Sequence, residues 1–243
     1  MRAAFLAAVL FLACLAQAQF GEILKKANEA LNQRSAAGLS NDKIVAGLKE
    51  ALQVSTRNAV ALTGKPDGFL KNAAIKILLP PKLQTVGNGL RMFGMGGRVD
   101  ELEVGMNRAA EQATPEAKRI FIAAVRNMSF DDARKILTGG DTAATEYFKR
   151  ASSDDLTTAF TPIVVRSMEQ VGVVRQYDRV LAAPGGSALA GQFDLNKYVV
   201  AKTLDGLFLM LGEEEKIIRK NPAGQTTALL KEVFGRKPAG SFP

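Results

Sequence analysis

The residues best placed for chemistry meet at one turn. Gly139-Gly140-Asp141-Thr142 interrupts two stretches of helical periodicity and sets an acid beside a hydroxyl. Arg134 and Tyr147 stand within about two helical turns of it. Arg134, Asp141, Thr142 and Tyr147 therefore form a candidate polar binding site. The plainer reading of the same run is a helix–helix corner with Asp141 as its cap.

What the chain lacks is as informative. It contains no histidine and no tryptophan, and Cys14 is its only cysteine. Ser-His-Asp and Cys-His catalysis are excluded, as are zinc sites built on His or Cys. Acid–base work would fall to Asp, Glu, Lys or Tyr, and any metal would be a hard, oxygen-bound ion. The acid clusters Asp100-Glu101-x-Glu103, Asp131-Asp132 and Asp154-Asp155 sit where helices start, and there they complement the helix dipole. Glu213-Glu214-Glu215 precedes Lys216, Arg219 and Lys220 at i,i+4 spacing. None of them has the spacing of a calcium loop. Thr63-Gly64-Lys65 lacks the upstream glycine of a phosphate loop, and Pro66 removes a donor that such a loop needs. Asn127-Met128-Ser129 is a formal glycosylation sequon whose serine is explained as a cap. No cofactor and no metal are expected.

The first residues read as an export signal. Met1-Arg2 precedes an apolar run from Ala3 to Leu15, and Ala16-Gln17-Ala18 supplies a small-x-small cleavage site after Ala18. A rival reading takes Leu12-Ala13-Cys14 as a lipoprotein site anchored through Cys14. Phe11 occupies the position where that pattern carries leucine, so plain secretion is the expectation. Cleavage at Ala18 would remove the only cysteine, leaving no disulfide and no thiol chemistry.

The elements that must position the candidate residues are all helical. The expected organisation is a signal peptide at 1–18, a peripheral segment at 19–38, one helical domain at 39–235 and a disordered tail at 236–243. Ser40 and Asp42 open a helix bearing Ile44, Leu48, Ala51, Leu52, Ser55 and Ala59 on one face, and Gly64 ends it. Residues 64–98 are rich in Gly and Pro, with an extended piece from Ala73 to Leu79 and a helix carrying Leu83, Val86, Leu90 and Phe93. Val99, Leu102, Met106, Ala110 and Ala113 mark the next helix, and Thr114-Pro115-Glu116 caps its successor. Ser129 with Asp132 restarts the chain, Asp141 caps a helix through Arg150, and Ser153 caps another that Pro162 kinks or restarts. After a surface loop at 183–187, Asp194 opens a helix apolar almost all round at Leu204 to Leu211, as a central buried helix would be. A last helix carries Leu229, Leu230 and Val233. The fold class is all-α, with about nine or ten short helices around one core and no transmembrane helix.

Charge points outward. The chain has a formal net charge of +8. Lys65, Lys71, Lys76, Lys82, Arg91 and Arg98 face only Asp67 within 65–98, and Lys216, Arg219, Lys220, Lys231, Arg236 and Lys237 face only Glu232 within 216–237. Meeting in space, the two stretches would make a basic surface for lipid head groups or an anionic envelope polymer. Aromatic side chains are too sparse there for nucleic-acid stacking.

Four runs carry a family resemblance. They are Lys65-Pro66-Asp67-Gly68-Phe69-Leu70, Asp100-Glu101-Leu102-Glu103-x-x-Met106-Asn107-Arg108-Ala109-Ala110-Glu111, Ser129-Phe130-Asp131-Asp132-Ala133-Arg134 through Tyr147-Phe148, and Leu204-Asp205-Gly206-Leu207-Phe208-Leu209-Met210. Over roughly residues 39–235 the chain resembles the bacterial family catalogued as domain of unknown function 4197. The resemblance implies an all-helical protein of the periplasm and carries over no catalytic residue. The expected function is a non-catalytic envelope protein that binds an apolar or anionic ligand, or a protein partner. A carboxylate-dependent hydrolase is the alternative, and it needs two acids about 5–9.5 Å apart across a cleft.

Overall fold

Apolar residues at helical spacing, punctuated by Gly and Pro, leave this chain few options other than a packed set of helices. A computed structural model describes residues 41–170, 172–182 and 193–220. The export signal and Cys14, the segment 19–38, the loop at 183–187, the last helix and the tail lie outside them. The chain divides into two compact units, Met1–Ile44 and Val45–Pro243, and the second holds the hydrophobic core.

Among the described residues there are eight α-helices, against the expected nine or ten, and no strand. They are α1 (Asn41–Gly64), α2 (Pro81–Met92), α3 (Gly96–Ala113), α4 (Ala117–Asn127), α5 (Phe130–Thr138), α6 (Ala143–Gln170), α7 (Val173–Leu181) and α8 (Leu195–Lys220). A 3-10 turn, Thr114–Glu116, joins α3 to α4. The seven helices from α2 onward pack against one another. From α1, Leu48, Leu52 and Ala59 join the same core.

The last expected helix lies outside the described residues, and within them two of the expected breaks are absent. Ser153 does not begin a helix; its Oγ donates to the Lys149 carbonyl 2.6 Å away, one turn back inside α6. Pro162 likewise lies within that single 28-residue helix. Thr114 behaves as Ser153 does, donating to the Ala110 carbonyl at 2.8 Å instead of capping α4. Such back-bonding is the alternative that hydroxyl side chains always have to capping. At Ser129 capping wins. Its side chain accepts from the Asp132 N–H while Asp132 accepts from the Ser129 N–H, a complete capping box on α5. The Ser129 hydroxyl holds the Asp132 carboxyl below the usual carboxylate range.

The α3 helix runs deep within the unit. Leu102, Met106, Ala109, Ala110 and Ala113 of α3 are fully buried, and the alanines let neighbouring helices approach closely. The α8 segment Leu204 to Leu211, expected to be buried all round, has an open side, where Asp205 is exposed and Leu209 is 44% exposed. Phe121 of α4, Phe148 of α6 and Phe208 of α8 tie the helices together. The first two rings meet edge to face at 5.0 Å, and Phe208 lies 6.1 Å from Phe121.

Residues 65–80 form no helix, yet they are held closely. Three side chains one turn apart on α3 replace the backbone partners they lack. Glu111 Oε1 accepts from the Phe69 and Leu70 N–H groups, each at 3.1 Å. Asn107 accepts from the Ile77 N–H at 2.9 Å and donates to the Ile77 carbonyl at 2.8 Å. Glu103 accepts from the Leu79 N–H at 3.0 Å. Arg108 closes the upper end, reaching Glu111 at 2.7 Å and Asp67 at 2.6 Å. Phe69 then seats on Gly206 of α8, where an added Cβ would lie 2.6 Å from the ring. Glycine at 206 is what allows this strap to lie against α8.

Candidate functional site

The open side of α8 is the floor of a groove. One part, of about 320 Å³, lies between α8 and the strap, lined by Ile75, Lys76, Leu78, Tyr198, Lys202 and Asp205 among others. A second part, of about 230 Å³, lies between α8 and the start of α6, lined by Thr142, Thr145, Glu146, Lys149, Glu213 and Lys216 among others. Asp205 and Leu209 line both, so the two parts adjoin. Leu78, 52% exposed, and Leu209 present apolar surface to solvent within it.

The rim is built of ion pairs one helical turn long. Lys202 meets Asp205 at 2.9 Å, Lys216 meets Glu213 at 2.8 Å and Lys149 meets Glu146 at 3.1 Å. Hydrogen bonding to Asp205 and to Glu213 raises the Lys202 and Lys216 ammonium pKa values, so both stay charged. Tyr198 donates to the Leu78 carbonyl at 3.1 Å and so pins the strap to α8. Burial raises its phenol pKa. The groove therefore offers an apolar floor edged by Lys76, Lys149, Lys202 and Lys216 and by Glu146, Asp205 and Glu213.

The four residues singled out in the sequence do not share one place. Thr142 lines the groove, and Asp141 lies near enough to Lys216 to favour its charge. Arg134 is exposed on α5. Tyr147 turns inward, is 7% exposed and donates to the Ala124 carbonyl at 2.8 Å. The corner itself is not capped by Asp141. Glu215 of α8 takes the exposed N–H groups at the start of α6, accepting from Ala144 and from Thr145, each at 2.9 Å. It also accepts from the Thr145 hydroxyl at 2.9 Å and is clamped by Arg219 at 2.8 Å. Arg219 in turn donates to the Ile136 carbonyl at the end of α5. A helix start draws a carboxylate through its free N–H groups and its dipole. Here the carboxylate arrives from another helix, 70 residues along the chain.

The interior acids are thus committed. Glu103, Glu111 and Glu215 are 9%, 4% and 5% exposed, and each accepts from backbone N–H groups. Each is occupied in holding backbone in place. Among the described residues, no group of three or more carboxylates is placed to hold a metal ion.

Three cations of the first basic stretch are met by acids, two of them from α3 and one from the strap itself. Lys76 lies 3.9 Å from Glu103, Arg91 pairs with Asp100 at 2.6 Å and Lys71 with Asp67 at 2.8 Å. In the second stretch, Lys231, Arg236 and Lys237 lie outside the described residues. A larger surface cavity, about 700 Å³, runs along the outer face of α4 past Lys118, Arg119, Ile122 and Arg126. No helix among the described residues is long and apolar enough to cross a membrane.

Fold and site together define an all-helical protein whose interior acids hold backbone and whose surface carries an open, amphiphilic groove. The chain belongs to the family described as protein of unknown function (DUF4197), whose sequence profile matches residues 38–235. No curated protein and no solved structure matches it.

Proposed function

We propose that this is a non-catalytic binding protein whose groove along α8 receives an extended segment of a protein partner. The observation that carries the reading is the adjoining pair of cavities through Asp205 and Leu209, with apolar floor and a rim of mixed sign. A peptide brings side chains of both signs and apolar ones between them, which suits that lining. A purely anionic ligand would meet Glu146, Asp205 and Glu213. The hydrolase alternative has no such support, because the buried carboxylates already serve as backbone acceptors.

A photo-crosslinking residue at Leu209, introduced in the native host, is expected to give discrete protein adducts. The same probe at Asp155, exposed on α6, is expected to give none of them. Identical adducts from both positions, or none from Leu209, would overturn the groove as the binding surface.

The reading puts the protein outside the cytoplasm, in the periplasm or beyond, on the strength of the Met1–Ala18 pattern. Intact mass of the protein from its native host is expected to correspond to a chain beginning at Gln19. A retained Met1, or a lipid-modified Cys14 at the terminus, would overturn that assignment.

A further inference from the structure

Between α2 and α3 the chain turns at Phe93-Gly94-Met95, and large apolar side chains stand out from that turn. Met92 is 84% exposed, Phe93 79% and Met95 36%. Single exposed apolar residues are ordinary on a protein surface, but an adjacent Met-Phe pair at this exposure is not. The turn that carries them is well fixed. The Phe93 N–H bonds the Gly89 carbonyl at 3.1 Å, the Gly94 N–H that of Arg91 at 3.2 Å and the Met95 N–H that of Leu90 at 2.8 Å. Gly94 supplies the positive φ, 73°, that this helix ending requires. The side chains therefore project because a hydrogen-bonded turn directs them outward. A Cβ placed at Gly89, Gly94 or Gly97 would meet nothing within 4 Å, so the turn stands clear of the rest of the molecule.

We propose that this turn is a membrane-insertion tip, with Met92 and Phe93 entering the head-group boundary of an anionic bilayer and Arg98 lying at phosphate level. Three observations select that occupant. Residues 68–99 contain no acid, and although Lys71, Lys76 and Arg91 pair with Asp67, Glu103 and Asp100, Lys82 and Arg98 stand exposed at the starts of α2 and α3. Arg98 is exposed at the first turn of α3, five residues along the chain from Phe93, and its N–H is bonded to the Met95 carbonyl. Finally, three side chains on a convex turn provide far less than the roughly 800 Å² per partner that a stable protein interface buries. A bilayer asks for no matching surface. Apolar side chains below a belt of cations are the general pattern of reversible interfacial binding.

The chain has no tryptophan, so Phe93→Trp places a single reporter at the tip of the full-length protein. Vesicles of phosphatidylethanolamine and phosphatidylglycerol are expected to shift its emission to the blue. Acyl chains carrying bromine are expected to quench it. A tryptophan at Asp155, tested in the same way, reports whether any other part of the chain brings the molecule to the lipid. It is expected to remain unshifted and unquenched. No shift at residue 93, or an equal shift at residue 155, overturns the proposal. A shift that grows with protein concentration without lipid also overturns it, in favour of a second copy of the chain as occupant. An equal response to pure phosphatidylcholine vesicles overturns the anionic preference. The groove along α8 is remote in sequence from this turn and is read by a different probe, so either proposal can fail alone.

Discussion

Replacing Glu215 with alanine is expected to lower stability by about 3–5 kcal/mol, the usual consequence of removing one partner from a buried ion pair. The carboxylate accepts from two N–H groups at the start of α6 and from the Thr145 hydroxyl, and it neutralises Arg219. With alanine there, two helix-start donors and a largely buried guanidinium lose their partner together. For a unit of this size the loss corresponds to a melting temperature lower by on the order of 10 °C. Glu215→Gln keeps one acceptor oxygen and gives up the charge, so its loss should be roughly half as large. Urea unfolding of the two variants beside the parent decides the matter. A Glu215→Ala loss below about 1 kcal/mol would mean that water replaces the carboxylate at little cost.

Asn107→Asp is expected to be comparably damaging, although it exchanges one atom for another of like size. The side chain at 107 is fully buried and accepts one hydrogen bond while donating two, to the Ile77 and Glu103 carbonyls. A carboxylate keeps the acceptor and turns its second oxygen toward both carbonyls. Burial and that repulsion favour the neutral acid, so the folded-state pKa of the new group lies above its unfolded value of about 3.9. The penalty is therefore complete above the raised folded pKa and disappears as pH falls to the unfolded one, a window set by the two values. Urea midpoints for Asn107→Asp measured from neutral pH down to about pH 4 should approach those of the parent as the acid titrates. A deficit that stays flat with pH would show that residue 107 is hydrated.

Both substitutions fall where sequence reading is weakest. The helices were legible because apolar spacing and caps are local. Leu102, Met106, Ala110 and Ala113 give the buried stripe of α3, and the Ser129–Asp132 box announces α5 from four residues. The false break at Ser153 and the false cap at Thr114, where the chain does pass from α3 to α4, share one cause: a hydroxyl can bond forward as a cap or backward to the preceding turn, and the neighbouring residues do not decide which. The buried acids could not be found by spacing at all. Glu215 belongs to a Glu213-Glu214-Glu215 run that resembles a solvated face, and two of its donors lie 70 and 71 residues away. Glu103 and Glu111 look like ordinary polar neighbours of the α3 stripe until the strap is laid across them. The candidate turn at 139–142 was visible through its glycines, and its Thr142 does line the groove. Tyr147, five residues beyond, points to the core because its hydroxyl finds the Ala124 carbonyl there.

The strap also has a kinetic side. Its Phe69, Leu70, Ile77 and Leu79 amides find acceptors only in side chains of α3, between 24 and 42 residues further on. Lys71, Asn72, Ile75 and Lys76 bond carbonyls within the strap itself, but the Phe69, Leu70, Ile77 and Leu79 amides have no such partner before α3 exists as a helix with Glu103, Asn107 and Glu111 in line. Hydrogen exchange at those four amides therefore reports the integrity of a helix to which none of them belongs. In the order of folding, residues 65–80 come after a helix that follows them in the chain. A ribosome delivers the strap first, and it must wait for its template.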